Sequence, residues 1–279
     1  MNYNYSIILP YRDKYNLFVK AVRSIPDRKD IQIVVVDNAP IPLSEKDIPK
    51  KQRAHIVYTI SSPSKGAGHA RNIGLKHIEG KYILFLDGDD YFTPIAFDIF
   101  DKYLTQDFDI AFLKPTSLKL TDRSISKRHE TYANAIDVYM ENKNENNLRY
   151  RWEVPWSKLF RSDFVLTNNF QFDETPVSND AWFSLMTGHY AHKIIAIPSV
   201  VYVVTEGGVG QSLVKTITKE NIFIRYNVAI RINKFLKSVD HYDMRIRLLG
   251  FVHIALIKFG LKEFWRYLIV AYQNRIGFF

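Results

Sequence analysis

The most constraining feature of the chain is an apolar strand that ends in three carboxylates, ILFLDGDD at Ile83–Asp90. The apolar run Ile83–Leu86 predicts a strand that is covered on both faces. Asp87, Asp89 and Asp90 follow at once, and acids this close together repel one another unless a cation or water offsets their charge. The pattern therefore favours a site for a divalent cation that holds a phosphate.

The same acids also fit an ordinary turn. Asp is common before helices, and a helix is expected from about Thr93-Pro94. We expect Asp90 to cap that helix and Gly88 to let a bulky ligand approach the backbone.

Composition and length restrict the class of protein. The chain has 279 residues and no cysteine, which excludes disulfides and thiolate metal sites and suits a reducing compartment. The N-terminus MNYNYSIILPYRDK lacks the pattern of a signal peptide, and no run approaches about 18 apolar residues. We expect a cytoplasmic protein, with any membrane contact peripheral at the inner face of the plasma membrane.

Most of the net charge of +9 lies near the C-terminus, where residues 206–279 hold 12 Lys and Arg against 5 Asp and Glu. A basic region rich in aromatic residues suits anionic lipid, nucleic acid or an acidic substrate, or it is a solvated helical face. In particular, Leu261–Asn274 interleaves aromatic and basic residues and could lie in a membrane interface or pack against the catalytic domain or a second subunit.

The first hundred residues alternate strand and helix patterns, which predicts an α/β fold with a mostly parallel sheet and helices on both faces. Polar residues follow three of the strands, at the edge where open parallel sheets bind ligands. The predicted strands are Tyr5–Leu9, Ile31–Val36, His55–Ile60 and Tyr82–Leu86, and the predicted helices are Asn16–Ile25 and Ala67–His77.

The later part of the chain has looser patterns. We expect strands at Phe108–Leu113, Lys193–Ile197 and Val200–Thr205, a helix at Ala133–Met140, an exposed loop at Asn142–Asn147, a flexible segment at Glu206–Gly210, and helices at Ile222–Leu236, Met244–Phe259 and Leu261–Asn274. The predicted domains are 1–205, with a nucleotide-sugar half 1–98 and an acceptor half 99–205, and a helical extension 206–279.

Five blocks in order resemble the GT-A-fold family 2 glycosyltransferases of bacterial surface-polysaccharide type. Gly66–Gly74 (GAGHARNIG) is similar to the family's G-x-x-x-A-R-N-x-G block, and Phe85–Asp90 to its L-D-x-D-D block. The other blocks are Ser6–Tyr11, Ile33–Asn38 and Val154–Phe183. The chain departs from the family at Ser64, where an Asn is common, at Asn179, and after Tyr202, where some relatives carry an Arg or His.

The resemblance implies a GT-A (Rossmann-like) fold and an inverting glycosyltransferase. Its donor would be a nucleotide sugar, UDP-hexose or UDP-HexNAc, its cofactor Mn²⁺ or Mg²⁺, and its acceptor a hydroxyl of a glycan or lipid-linked acceptor in O-antigen or capsule synthesis. A sugar-1-phosphate nucleotidyltransferase is an alternative, but Tyr11–Lys14 lacks the glycines that such an enzyme needs. A non-enzymatic nucleic-acid-binding protein would leave the strand-end acids unexplained, so we expect no nucleic-acid partner.

On the donor side, Asp89 is the expected metal ligand, and Asp87 assists through the ribose or a water. Asp37 would accept a hydrogen bond from the base, by resemblance uracil, or it is a turn residue. Arg71 would contact phosphate or form an ion pair with a strand-end acid. The expected walls of the nucleoside pocket are Pro10, Tyr11, Asp13 and Gly88.

On the acceptor side, Asp180 is the candidate general base, unless Asn179-Asp180 only caps the next helix. Trp152, Trp156 and Trp182 flank this region and would stack on a sugar, or they pack in the core. His189 and His192 share a helical spacing that rarely means metal binding.

Overall fold

The computed structural model describes residues 2–207 and 217–277, which form one eight-stranded sheet with helices around it. The strands are β1 (Tyr3–Tyr11), β2 (Ile31–Asp37), β3 (His55–Ile60), β4 (Gly80–Phe85), β5 (Tyr91–Phe92), β6 (Ile110–Lys119), β7 (Lys158–Arg161) and β8 (Ile194–Glu206). The α-helices are α1 (Tyr15–Ser24), α2 (Gly66–Leu75), α3 (Ala96–Asp101), α4 (Glu130–Asn142), α5 (Asn146–Tyr150), α6 (Ser162–Thr167), α7 (Ala181–Tyr190), α8 (Lys219–Ser238), α9 (Leu249–Phe259) and α10 (Leu261–Gln273).

The strands lie in the order β3-β2-β1-β4-β7-β6-β8-β5. The pairs β2/β3, β1/β2, β1/β4 and β6/β8 are parallel. The short strand β7 lies antiparallel between β4 and β6, and β5 lies antiparallel on β8. The α/β class with helices on both faces is confirmed, and the antiparallel strands β5 and β7 are additions that no alternation in the sequence indicated.

Side chains of β1 alternate between two apolar layers. Ile7 and Leu9 pack on one face together with Phe18 of α1, whereas Ile8 packs on the other with Ala70 of α2. Each strand of this half is therefore apolar on both faces, which explains the continuous apolar runs of the sequence.

Helix α2 packs closely on the sheet and also binds the loop that precedes α7. A Cβ on Gly74 would come within 2.5 Å of the Ile8 side chain, so glycine permits the close approach. On the opposite side, the Asn72 side chain exchanges two hydrogen bonds with the backbone of Phe172, at 2.9 and 2.8 Å. This contact holds the loop before α7 over the N-terminal half of the sheet.

Three expectations for the later elements are corrected. The predicted strands Lys193–Ile197 and Val200–Thr205 are one strand, β8, whose pairing with β6 contains register shifts. The predicted helix Met244–Phe259 is a 3₁₀ turn at Tyr242–Met244 followed by α9. Of the predicted loop Asn142–Asn147, only residues 143–145 connect α4 and α5, and the other three belong to these helices.

The C-terminal helices have a core of their own and also pack on the sheet domain. Tyr226, Val252 and Tyr267 lie in that core, whereas Val228 and Ile232 of α8 pack against α5 and α7. In the predicted flexible segment Glu206–Gly210, Glu206 ends β8 and residues 208–216 lie outside the described part of the chain. The domain boundary at 205/206 stays a prediction.

Helix α10 keeps one apolar face exposed. Trp265 is 58% exposed and Ile269 52%, with Leu261 and Tyr272 exposed along the same face. By contrast Tyr267, which belongs to the same segment Leu261–Asn274, is buried. None of the helices that the structure describes is both long and apolar enough to cross a membrane.

Candidate active site

A cavity of about 490 Å³ lies at the carboxyl ends of β1, β2 and β4. Parallel strands bring these ends to one edge of the sheet, as expected for a ligand site in an open α/β fold. Ten of the residues predicted from the sequence line this cavity: Pro10, Tyr11, Asp13, Arg71, Asp87, Gly88, Asp89, Trp156, Asn179 and Asp180.

The acidic turn after β4 is held in place by β8. Buried Asp90 accepts hydrogen bonds from the Thr205 amide at 2.7 Å and from the Tyr202 hydroxyl at 3.0 Å. Burial, and then the nearby negative charges of Asp89 and Asp87, raise the pKa of the Asp90 carboxyl. The expectation that Asp90 caps the following helix is wrong, because β5 comes next and the carboxylate is used to fix the turn to β8.

Asp87 and Arg71 form an ion pair inside the cavity. Arg71 is only 5% exposed, and it donates from Nη2 to Asp87 Oδ1 at 2.5 Å and from Nη1 to Asn179 Oδ1 at 3.1 Å. The ion pair that the sequence offered as one alternative is therefore present, and the same arginine also lines the cavity. Through Asn179 it links the donor edge of the sheet to the loop before α7.

Asp89 is the more accessible acid of the turn. Its carboxylate is half-buried, and Lys14 Nζ lies 2.8 Å from Oδ2. A flexible lysine thus occupies a position that another cation can take, and oxygen ligands of this kind suit Mg²⁺ or Mn²⁺. In the described residues no group of three or more His, Cys, Asp or Glu side chains is arranged to hold a metal. The carboxylates of Asp87 and Asp89 fit such an ion in donor type, with the other ligands coming from outside the chain.

Gly88 is needed for packing within the chain. A Cβ at this position would lie 2.6 Å from the Pro10 carbonyl oxygen, so any other residue would push the acidic turn away from β1. The expectation was that Gly88 admits a ligand; the close backbone neighbour in the structure is Pro10.

Asp37 does not line the cavity, although its neighbour Asn38 does. Its buried carboxylate accepts hydrogen bonds from the Ala39 and Leu43 amides, at 2.8 and 2.7 Å, and from the Tyr58 hydroxyl at 2.8 Å. This arrangement corresponds to the turn alternative for Asp37. The role of Asp37 in contacting a nucleobase stays a prediction.

Asp180 occupies the N-cap position of α7 without acting as a cap. Its side chain makes no cap hydrogen bond and instead lines the cavity. The loop leading to it includes Ser178 in a left-handed conformation (φ 52°), which is uncommon for a residue other than glycine and typical of loops at functional sites. Desolvation raises the pKa of the Asp180 carboxyl, and the positive charge of Arg71 opposes this shift. The carboxylate is therefore poised to accept a proton.

Three further residues near Asp180 were missed in the sequence. Glu153 and Tyr132 line the cavity, and desolvation together with the charge of Asp180 raises the pKa of Glu153. Lys158 is buried, donates to the Trp152 carbonyl at 3.1 Å, and has a pKa that burial lowers well below its ordinary value. For Glu153, the only sequence signal was that it directly precedes the block Val154–Phe183.

The tryptophans have different roles. Trp156 lines the cavity with little exposed surface, and its ring stacks on Tyr202 with centroids 5.4 Å apart. Trp182 does not line it: its ring packs on Phe235 and under the guanidinium of Arg231, 4.2 Å away. Trp182 thus lies outside this cavity and packs against α8, and its acceptor-side role stays a prediction.

Helix α8 also contributes to the cavity wall through Arg225. Arg231, on the same helix, forms an ion pair with Asp173 of the loop that carries Asp180. Sequence patterns alone gave no reason to connect this helix with the catalytic edge. The predicted pair His189 and His192 does not line the cavity. His189 contacts the Tyr150 hydroxyl at 3.2 Å and packs on Phe235 of α8.

Comparisons with known proteins agree with this geometry. Residues 6–171 match the sequence model of Glycosyl transferase family 2. The uncharacterized glycosyltransferase EpsJ of Bacillus subtilis is 27% identical over 72% of this chain and 60% of its own length. The minor teichoic acid biosynthesis protein GgaB of the same organism is 34% identical over 35% of this chain and 11% of its own length. The chain thus spans less than two thirds of these relatives.

Solved structures show the same fold. Staphylococcus aureus TarS residues 1–349 in complex with UDP-GlcNAc aligns with a TM-score of 0.68 and 16% identity, over 97% of this chain and 81% of that chain. The mannosyltransferase PcManGT from Pyrobaculum calidifontis, in complex with GDP-Man and Mn²⁺, aligns with a TM-score of 0.54 and 13% identity, over 99% of this chain and 81% of that chain. The chain belongs to glycosyl transferase family 2 and has the GT-A fold.

Proposed function

We propose that the protein is an inverting glycosyltransferase that moves a sugar from a UDP-linked donor to a hydroxyl of a surface-glycan acceptor. The observation that carries this proposal is the placement of two kinds of acid around one cavity. Asp87 and Asp89 lie at the strand end beside two cations, whereas Asp180 lies on the loop before α7 without a cap bond. A diphosphate leaving group and a hydroxyl nucleophile need these two environments.

The donor would lie at the strand end. Pro10, Tyr11 and Asp13 line that end of the cavity and would hold the nucleoside. Arg71 has a planar fork suited to phosphate oxygens, and its buried Nε has no hydrogen-bond partner among the described residues. Negative charge on the departing diphosphate would be stabilised there.

Asp89, assisted by Asp87, would hold Mg²⁺ or Mn²⁺, which supplies Lewis-acid stabilisation to the diphosphate. PcManGT, which shares the fold, was crystallised with Mn²⁺. The oxygen donors of the turn match this chemistry, and Lys14 would release Asp89 when the ion binds.

Asp180 would act as general base. The acceptor hydroxyl oxygen forms the new bond to the anomeric carbon, the bond from that carbon to the phosphate oxygen breaks, and Asp180 takes the hydroxyl proton. A single carboxylate on the face opposite the leaving group is sufficient for inversion. The wall around Asp180, formed by Trp156, Tyr132 and Glu153, would receive the acceptor sugar.

The acceptor class follows from the relatives. TarS of S. aureus is named a poly(ribitol-phosphate) β-N-acetylglucosaminyltransferase, and it is 21% identical over 71% of this chain and 35% of its own length. Together with GgaB, it supports a glycan or lipid-linked acceptor of the bacterial surface, reached from the cytoplasmic side of the membrane.

A thermal-shift screen of nucleotides and nucleotide sugars with Mn²⁺ tests the donor assignment. A ligand that binds the folded state stabilises it, and more so the tighter it binds, so UDP and one UDP-sugar should raise the melting temperature, and Asp89→Ala should abolish the shift. Glu174→Gln, an exposed acid outside the cavity, is the control and should behave like the wild type. If none of the nucleotides or nucleotide sugars raised the melting temperature, the proposal would be refuted.

The exposed face of α10 would touch the membrane. Leu261, Trp265 and Ile269 lie on one side of the helix, and the exposed Lys258 and Lys262 lie nearby to meet anionic headgroups. In flotation with anionic liposomes, the double variant Trp265→Ser and Ile269→Ser should float less than the wild type. Ile125→Ser, which removes an equally exposed apolar side chain elsewhere, should float normally; equal flotation of all three proteins would exclude this face.

A further inference from the structure

A second cavity adjoins the catalytic one, and the proposed reaction leaves it unused. It has a volume of about 550 Å³ and runs along α4, so we call it the α4 groove. Its walls consist of Arg128, Thr131, Tyr132, Asn134, Ala135, Asn147, Arg151, Trp152 and Glu153. Arg128, Tyr132 and Glu153 line both cavities, so the groove opens from the catalytic cavity at these residues.

The groove leaves the catalytic cavity on the acceptor side. Tyr132 and Glu153 line the catalytic cavity together with the candidate base Asp180. Burial raises the pKa of both groups, and the negative charge of Asp180 adds to the shift. None of the strand-end acids lines the groove. A molecule in the groove would therefore continue from the hydroxyl that receives the sugar, not from the donor.

Two arginines in the groove have little to bind within the chain. Neither Arg128 nor Arg151 forms an ion pair with another residue in the ranges 2–207 and 217–277, and Arg128 makes one long hydrogen bond, 3.4 Å, to the Thr205 carbonyl. Arg149, two residues before Arg151, is by contrast fully used by Glu145 and by two backbone carbonyls. The difference indicates that Arg149 has a structural role and that the groove arginines are available.

The remaining lining suits a polar anion. Thr131 and Asn134 on α4 and Asn147 on α5 offer hydroxyl and amide groups, and Thr131 lies in the first turn of a 13-residue helix, where the helix dipole favours negative charge. Glu153 is the one acid of the lining, and it lies at the junction with the catalytic cavity. It would keep a phosphate away from Asp180 and direct it towards Arg151.

We propose that the α4 groove binds a phosphate group of the acceptor, on the far side of Glu153 from the hydroxyl that is glycosylated. Guanidinium forks bind phosphate oxygens in pairs, which fixes the register of a chain as well as its charge. Such a phosphate belongs either to a phosphodiester-linked polyol chain or to a diphosphate-linked lipid. The inference rests on the proposed function, since its ligand is the acceptor of that reaction.

Calorimetric titration of the full chain tests the groove with two probes, a glycerol-phosphate phosphodiester trimer and farnesyl diphosphate. Arg151→Gln is the main variant because Arg151 lines the α4 groove and does not line the catalytic cavity. Lys127→Gln removes the same charge from an exposed neighbour that lines neither cavity and is the matched control. At least one probe should bind the wild type and Lys127→Gln equally, and Arg151→Gln about tenfold or more weakly.

The identity of the bound probe distinguishes the polymer from the lipid source. Asn147→Asp provides a second variant, which adds a negative charge to the groove without removing an arginine, and should also weaken binding about tenfold. The inference is overturned if neither probe binds, or if Arg151→Gln and Lys127→Gln bind alike.

UDP with Mn²⁺ is titrated into the same samples. If UDP binds and the probes do not, the groove inference alone fails. If UDP does not bind either, the donor assignment fails, and the groove inference that rests on the proposed function fails with it.

Discussion

The acids on the two sides of the catalytic cavity are held in opposite ways. On the strand-end side, Asp87 is paired with Arg71, Asp89 with Lys14, and Asp90 is bound by β8. Across the cavity, Asp180 and Glu153 have no side-chain hydrogen bond or ion pair with another residue of the described chain.

The difference separates binding from proton transfer. Carboxylates that already have cationic partners are held in position, as a charged ligand requires. A carboxylate that is desolvated and unpaired binds a proton more readily, as a general base requires. The fold thus fixes one group of acids and leaves the other reactive.

Removing divalent ions should have the largest effect, because the strand-end acids would then face the diphosphate without a bridging charge. We expect transfer to fall by about 10³-fold or more in chelator and to return when Mn²⁺ is added back. Release of the nucleoside diphosphate measures the rate. Full turnover in chelator would remove the metal role from Asp87 and Asp89.

Asp180→Asn should be nearly as severe. The amide keeps the shape of the side chain but cannot accept the proton, so transfer should fall by roughly 10²–10⁴ while the affinity for UDP is retained. Steady-state kinetics and UDP titration separate the two quantities. Glu174→Gln, on the same loop outside the cavity, should keep turnover within about twofold. Unchanged turnover in Asp180→Asn would exclude Asp180 as the base.

The pH profile can distinguish the two unpaired acids. The pKa of Asp180 is raised by desolvation and by Asp87, and lowered by Arg71 and Lys158, with a net upward shift. Because only the ionised form accepts a proton, kcat/KM should rise with pH through a limb above the ordinary Asp range of about 3.9. Glu153→Gln should keep this limb, and its loss in that variant would identify Glu153 as the base.

Stability should respond in the opposite sense on the two sides. Asp90→Ala leaves the Thr205 amide and the Tyr202 hydroxyl without their buried acceptor and should cost about 2–3 kcal/mol of the free energy of unfolding. Asp180→Ala removes an unpaired carboxylate and should be neutral or stabilising by up to about 1 kcal/mol. Urea denaturation measures both. A larger loss for Asp180→Ala than for Asp90→Ala would contradict the division between fixed and reactive acids.

The N-terminal half of the fold could be read from local pattern. Strands β1 to β4 are apolar runs that the sequence pattern predicts as strands. The third strand, His55–Ile60, has the predicted bounds. Motif order predicted Asp89, Arg71 and Asp180 as site residues, and all three line one cavity. Asp89 lies in the turn that follows β4, whereas Arg71 on α2 and Asp180 before α7 could be identified only through their motifs.

The remaining features depend on partners far along the chain. Asp90 meets Thr205, 115 residues away, and Trp182 meets Arg231 on α8. Local pattern contains no information on which distant segment satisfies a buried carboxylate or covers an exposed ring. The same limit hid Glu153 and Arg225 from the list of cavity residues.

Helix α8 has a consequence for how the protein can be dissected. It supplies Arg225 to the cavity, and Val228 and Ile232 to the surface of α5 and α7. Truncating the chain after β8 would therefore expose apolar surface on α5 and α7 and would also open one side of the catalytic cavity. Transplanting this helix between relatives would exchange part of the substrate-facing wall, so chimeras made at that joint should differ in which acceptors they take.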